Sequence, residues 1–256
     1  MKAVLCLGGS DPKMGAGVQM DTAVCRAFGV APRVVETLFT EQGAEGLKKV
    51  QLRKPVDVGR DILHTLDDGV QAIKIGALGN TEIVEVVAAA LEPWHDAIPI
   101  VIDPVASASK TVGVAQLNTV DGVRRMEELL FPLAALVTPN LLEYGTGERY
   151  VTCRAILRKG GHADAFAEFE GREPGAFVSD VLEQEGVEPV EFQHARIPDG
   201  GSLHGTGCAL SSAIACSLTQ NHDLTEACRS GIDALQVWMK DAVARGGALV
   251  PKPPVA

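Results

Sequence analysis

Short apolar runs and helix-period segments alternate along almost the whole chain, and that alternation leaves few architectures open. Residues 3–7, 32–37, 72–75, 98–102, 134–137 and 154–158 read as strands. Between and around them, residues 16–28, 56–66, 81–91 and 117–130 carry helical spacing; Gly29 closes the first, and Asp67-Asp68-Gly69 closes the second. Residues 177–182 and 190–196 read as an antiparallel pair, and 205–218 and 224–244 as closing helices. Strand–helix alternation of this kind predicts one α/β domain with a largely parallel central sheet. Aromatic residues make up only 4% of the chain, so its core is built from Val, Leu, Ile and Ala. That suits strands covered on both faces. No repeat, linker or low-complexity tract divides residues 1–256, and Pro251-Lys252-Pro253-Pro254 predicts a loose tail over 251–256.

The formal net charge is −10 and no basic block is present, which argues against nucleic acid or an anionic membrane as a partner. Six cysteines include no C-x-x-C pair and no zinc-like spacing to a histidine, and are expected to be reduced thiols of a cytoplasmic protein. The apolar start of the chain is too short for a signal peptide and the right length for a first strand.

Polar and glycine-bearing residues recur just beyond the predicted strands: Gly8-Gly9-Ser10-Asp11, Lys74-Ile75-Gly76, Asp103-Pro104, Asn140 and Lys159. Open α/β sheets bind ligands at those ends. A Walker A pattern is absent and Gly15-Ala16-Gly17 does not complete a Rossmann fingerprint. The sharpest local feature is His204-Gly205-Thr206-Gly207-Cys208 ahead of a small-residue helical run. Backbone N–H groups at such a helix start can receive an anion, and their field predicts a lowered pKa for the Cys208 thiol. The plain alternative is a glycine-rich turn with Cys208 as a small core residue.

Taken in order, Gly9-Ser10-Asp11-Pro12, Gly15-Ala16-Gly17-Val18-Gln19-Met20-Asp21, the Thr37–Gln42 stretch, Lys74-Ile75-Gly76, Asp103-Pro104-Val105, Thr138-Pro139-Asn140-Leu141-Leu142-Glu143, Lys159-Gly160-Gly161-His162 and the 204–208 motif resemble the hydroxymethylpyrimidine/phosphomethylpyrimidine kinases of thiamine biosynthesis, in the ribokinase-like superfamily. The resemblance implies a three-layer αβα fold and ATP- and Mg²⁺-dependent phosphorylation of 4-amino-5-hydroxymethyl-2-methylpyrimidine and its monophosphate. It implies that Gln42, Ala16, Asp21, Gly9 and Val105 line the pyrimidine pocket. An amide such as that of Gln42 offers the donor and acceptor an aminopyrimidine edge needs. Asp103, Asn140 and Glu143 would hold Mg²⁺, a hard ion suited to oxygen ligands. Lys159 would act as a point charge on the transferred phosphoryl, Gly205, Thr206 and Gly207 as the anion hole, and Cys208 as the base. His204 is expected to order the turn, and His162 stays open between ordering its turn and chemistry. Family members are commonly dimers, so a homodimer is an expectation.

Simpler roles stand beside these: a turn for Gln42, a solvated helix position for Asp21, a helix cap for Asn140 and a first-turn acid for Glu143. The chain also departs from the family pattern at Met14, Gly43, Ala77 and Ala106. The last two replace methionines that would cover a flat ring, which keeps pyridoxal or pyridoxine kinase open as an alternative. Only residues 141–157 separate the Asn140 and Lys159 motifs, with Gly145 and Gly147 inside. That predicts a truncated or irregular crossover and motivates a further alternative, a non-catalytic pyrimidine-binding regulator.

Overall fold

The computed structural model describes residues 1–13, 15–43, 46–105, 117–145, 148–161 and 175–254. Met14, Ala106 and His162 lie outside the described residues, as does the side chain of Gln42.

Among the described residues, nine strands form one sheet. They are β1 (Ala3–Ser10), β2 (Ala31–Gly43), β3 (Gly46–Leu52), β4 (Ala72–Ile75), β5 (Ile100–Ile102), β6 (Leu136–Val137), β7 (Ala155–Arg158), β8 (Phe177–Gln184) and β9 (Val187–Ala195), in the order β3-β2-β1-β4-β5-β6-β7-β8-β9. β2, β1, β4, β5, β6 and β7 run parallel, while β3, β8 and β9 add antiparallel pairings. The helices are α1 (Gly17–Ala27), α2 (Pro55–Asp67), α3 (Thr81–Leu91), α4 (Val120–Leu129), α5 (Leu141–Tyr144), α6 (Thr206–Leu218) and α7 (Leu224–Arg245).

Two cores make this a three-layer αβα fold. Leu5 and Leu7 of β1 pack with Ile73, Ile75 and helices α2, α3 and α4 on one face. Val4 and Cys6 turn the other way, toward α1, α6 and α7. A strand with apolar residues at both parities is what a doubly covered sheet requires. α6 is buried along residues 209–217, which explains its small, non-amphipathic sequence.

Two segments differ from the sequence reading. β2 continues to Gly43 and pairs with β3, where the sequence reading placed no strand. Lys48-Lys49 interrupts the alternation there, and lysines are a common device for protecting an edge strand. The tail is also less loose than expected: the Trp238 indole N–H donates to the Lys252 carbonyl at 2.9 Å, and the Lys252 ammonium lies 2.9 Å from Asp241.

The short crossover is irregular, as its glycines foretold. Between β6 and β7 it holds the single turn of α5 and a 3₁₀ turn at Glu148–Tyr150. Aromatic stacking supports this crossover. Phe131, Tyr150 and Tyr144 stack in a column with centroid separations of 5.3 and 5.5 Å, and the Arg158 guanidinium lies over Tyr144 at 5.4 Å. Tyr150→Ala is therefore expected to lower the melting temperature, since truncating a buried aromatic costs about 3–5 kcal/mol; an unchanged thermal melt would contradict this role for the column.

Candidate active site

The C-terminal ends of β1, β4, β5, β6 and β7 lie side by side and deliver the candidate residues to one edge of the sheet. Asp103 follows β5, with its N–H donating to the Ile75 carbonyl beside it. Lys159 follows β7, and its N–H donates to the Pro139 carbonyl at 2.9 Å. The Lys159 ammonium donates to Asp103 Oδ1 at 2.8 Å, and both side chains are largely buried. Burial works against that ammonium, but Asp103 and then Glu143 hold its pKa above the ordinary lysine value.

This pair lies against the first turn of α6. A methyl built on Gly207 would stand 3.2 Å from Asp103 Oδ2 and 3.4 Å from Lys159 Nζ. No side chain caps α6, and its first intrahelical bond runs from the Ala209 N–H to the Gly205 carbonyl. The amides of Thr206, Gly207 and Cys208 therefore head the helix beside the Lys159–Asp103 pair. Gly205 has φ +82°, and a methyl there would come within 2.0 Å of the Gly15 carbonyl oxygen. Left-handed backbone alone costs an L-residue about 1–2 kcal/mol. Gly205→Ala is thus expected to melt several degrees lower and to lose activity by displacing the helix start; a variant with wild-type melting and kcat would remove the constraint.

The loop before α1 is fitted to this turn. Asp11 is buried and accepts from the Lys13 and Gly15 N–H groups at 3.0 and 3.1 Å. His204 Nε2 lies 3.4 Å from Asp11 Oδ2, so His204 orders the turn against the loop. Gly9 is buried near the end of β1; its carbonyl is so close to Gly17 that a methyl on Gly17 would clash with it. Ala16 caps α1 without a side-chain bond, and the Gly205 turn packs against the Gly15 carbonyl and Ala16. The Gly15–Gly17 loop and the Gly205–Cys208 turn therefore fold as one surface.

Three expectations change. Cys208 was expected to have a lowered thiol pKa, but burial pushes it up to about 11. Lys74 and the Gly17 N–H oppose that rise, while Asp21 and Asp103 add to it. Two helix starts do not outweigh desolvation and two carboxylates. Iodoacetamide should therefore label Cys208 of the ligand-free protein slowly at neutral pH, with the rate climbing as pH rises toward about 11; a rate already flat by pH 8 would contradict the assignment.

Asp21 is neither at a pocket edge nor solvated. It is fully buried, 2.9 Å from the Lys74 ammonium, and accepts from the Ser212 hydroxyl at 2.8 Å. The intended metal ligands Asp103, Asn140 and Glu143 do not form a ready-made cage. Asn140 and Glu143 form a capping box across α5: the Asn140 side chain accepts from the Glu143 N–H, and the Glu143 carboxylate accepts from the Asn140 N–H, both at 2.9 Å. Among the described residues no three His, Cys, Asp or Glu side chains gather to hold an ion.

Asn118 is the main residue that sequence reasoning missed. It is buried; its carbonyl accepts from the Leu78 and Gly79 N–H groups, and its amide donates to the Pro104 and Val105 carbonyls. It clamps the loop after β4 to the loop after β5. That clamp holds Val105 at φ +42°, an outlier for a β-branched residue. Thr37 adds a second tie, donating to the Ala77 carbonyl at 2.7 Å.

The chain matches the family described as phosphomethylpyrimidine kinase over residues 11–146 and 148–252. It is 32% identical to a hydroxymethylpyrimidine/phosphomethylpyrimidine kinase of Streptomyces coelicolor over 97% of this chain and 92% of that protein. It is 33% identical to one of Rhizobium meliloti over 96% and 91%. Among solved structures it resembles a phosphomethylpyrimidine kinase of Clostridium difficile, with TM-score 0.73 and 23% identity over 95% of this chain and all of that one. It also resembles a Bacillus subtilis pyridoxal kinase in an ADP complex, with TM-score 0.79 and 22% identity over 94% and 92%. The two structural likenesses concern the fold.

Proposed function

The chain belongs to the phosphomethylpyrimidine kinase family, and from that premise we propose that it transfers the γ-phosphoryl group of ATP to the hydroxymethyl group of 4-amino-5-hydroxymethyl-2-methylpyrimidine and then to its monophosphate. The observation that carries this reading is the convergence of Lys159, Asp103, Gly207 and Cys208 at the head of α6. Phosphoryl transfer needs little covalent chemistry from the protein; it needs a nucleophile in line and positive charge on the phosphoryl oxygens.

In this reading the Thr206 and Gly207 amides and the turn at Gly205 receive the transferred phosphoryl, and Lys159 adds its charge. Cys208 Sγ takes the proton of the substrate hydroxyl as that oxygen bonds to phosphorus and the bond to the ADP leaving oxygen breaks. The oxygen donors of Asp103 and Glu143 fit magnesium, which commonly binds one or two carboxylates together with phosphate oxygens and water. Asn140 would position Glu143 through the capping box. When bound, magnesium supplies charge neutralisation on the phosphate oxygens. Gly9, Ala16 and Val105 would border the substrate, with Gln42 reading the ring edge from β2.

Ala77 is small and buried where the loop after β4 meets the site, so the ring contact on that side is reduced. This favours testing a second ring. Product analysis by mass spectrometry with hydroxymethylpyrimidine and with pyridoxal, each with ATP and Mg²⁺, decides the matter. A phosphorylated pyrimidine at the higher kcat/KM supports the proposal, and phosphorylation of pyridoxal alone overturns it. Gln42→Ala should raise the pyrimidine KM with a smaller change in kcat; an unaltered KM would take Gln42 out of the pocket.

A further inference from the structure

Lys74 occupies a position where the sheet offers no place for a charge. It lies on β4, a central strand covered on both faces, and its neighbours of opposite parity, Ile73 and Ile75, fill the core under α2 and α3. Lys74 itself points toward α1 and α6 and is 0% exposed. A lysine there is costly unless paired. The pairing comes from two helices at once. Asp21 on α1 lies 2.9 and 3.1 Å from the ammonium through its two oxygens, and Ser212 on α6 donates to Asp21 at 2.8 Å. The ammonium reaches the C-terminal end of its strand, since a methyl on Gly76 would stand 3.0 Å from it.

The contacts repeat along the two helices. Gly17 and Asp21 are one turn apart on α1, and Cys208 and Ser212 are one turn apart on α6. Gly205, at the head of α6, meets Gly15 and Ala16, at the head of α1, in the outer layer, and Asp21 meets Ser212 one turn further in. Lys74 completes the inner contact from the sheet.

We propose that Lys74 is a positioning residue for phosphoryl transfer: its buried ammonium, oriented by Asp21 and Ser212, fixes α1 against α6 and supplies the positive field beneath Cys208 that lets the sulfur accept a proton. The charged groups acting on Cys208 are Lys74 from β4, Asp21 from α1 and Asp103 from the end of β5, with Lys159 coupled from the end of β7. Both carboxylates disfavour a thiolate, and Lys74 is the foremost group opposing them. Burial works against the Lys74 ammonium too, but Asp21 foremost, with Asp103 adding to it, holds it charged.

This inference rests on the reading of Cys208 as the base, and a double-mutant cycle separates the two. Lys74→Met should lower kcat at least ~10-fold in the wild-type background and less than ~2-fold in a Cys208→Ala background, because groups acting as a unit are non-additive. A purely structural role would add its full loss in both backgrounds and overturn the inference. Lys74→Met leaves Asp21 buried without its partner and can fail to fold, so Lys74→Met/Asp21→Asn, which removes both charges, is measured beside it. Recovery of the melting temperature with kcat still low supports a field acting on Cys208; recovery of both assigns Lys74 to the fold alone. If Cys208→Ala keeps the wild-type kcat, the base assignment fails and takes this inference with it. If only Cys208→Ala is impaired and the folded Lys74 variants are not, the Lys74 inference alone is wrong.

Discussion

Replacing Cys208 with alanine is expected to lower kcat by about 10²–10⁴-fold, the usual contribution of a general base, while KM for ATP changes little. The sulfur is in the first turn of α6 and is one residue from the Gly207 backbone against which Lys159 and Asp103 pack. No bulk is lost from the deep core, because Cys208 is half-buried whereas residues 209–217 behind it are buried. Its raised pKa gives the effect a second signature. The basic form accumulates as pH climbs toward about 11, so wild-type kcat/KM for the ring should still be rising above neutral pH. Cys208→Ala should lose that rise along with most of the rate. Wild-type turnover in the variant would leave the site without its base.

Lys159→Met is the other large effect. Removing a preorganised charge from the transition state of a group transfer costs about 10²–10³-fold in rate, and the variant also strands Asp103, which is 5% exposed at its side chain. Two losses are therefore expected, one in kcat and one in stability. Lys159→Met/Asp103→Gln is not a suitable control, because Asp103 is itself assigned to the magnesium site. Lys159→Arg is more informative. It keeps a positive charge, but its planar fork has to fit a position bounded by Gly207 and by the Pro139 carbonyl that accepts the Lys159 N–H. Arginine should restore much of the melting temperature and only part of kcat. Full activity in Lys159→Met would show that the charge is dispensable.

Much of this arrangement was legible in the chain before its structure. The layered sheet follows from apolar runs at both parities separated by helical segments, and the strand-end polar residues marked the edge where Asp103 and Lys159 meet the head of α6. The N-x-x-E spacing of Asn140 and Glu143 carried its own cap signal, and the capping box is what the two residues make of it. The short crossover was visible as length and glycine content, but the stacking of Phe131, Tyr150 and Tyr144 that supports it was not, because ring contacts across irregular chain follow no helix or strand period.

Asn118 was invisible for the same reason: its four backbone partners lie 13 to 40 residues away. Asp21 and Lys74 were different. A lysine inside Ala72-Ile73-Lys74-Ile75, on a strand buried from both sides, has no route to water and requires an acid within reach. That signal was present, and only the identity of the acid needed the structure. The Cys208 pKa failed for an energetic reason: helix-start dipoles act locally, while burial and nearby carboxylates act on the same atom with opposite sign.

The central claim is that this chain phosphorylates a hydroxymethyl-bearing ring, and the most direct test is to follow ADP formation by the purified protein with ATP, Mg²⁺ and hydroxymethylpyrimidine. The account predicts ADP release that depends on the pyrimidine and is matched mole for mole by phosphomethylpyrimidine. ADP release that ignores the ring, or no release with either ring at saturating ATP, would contradict it.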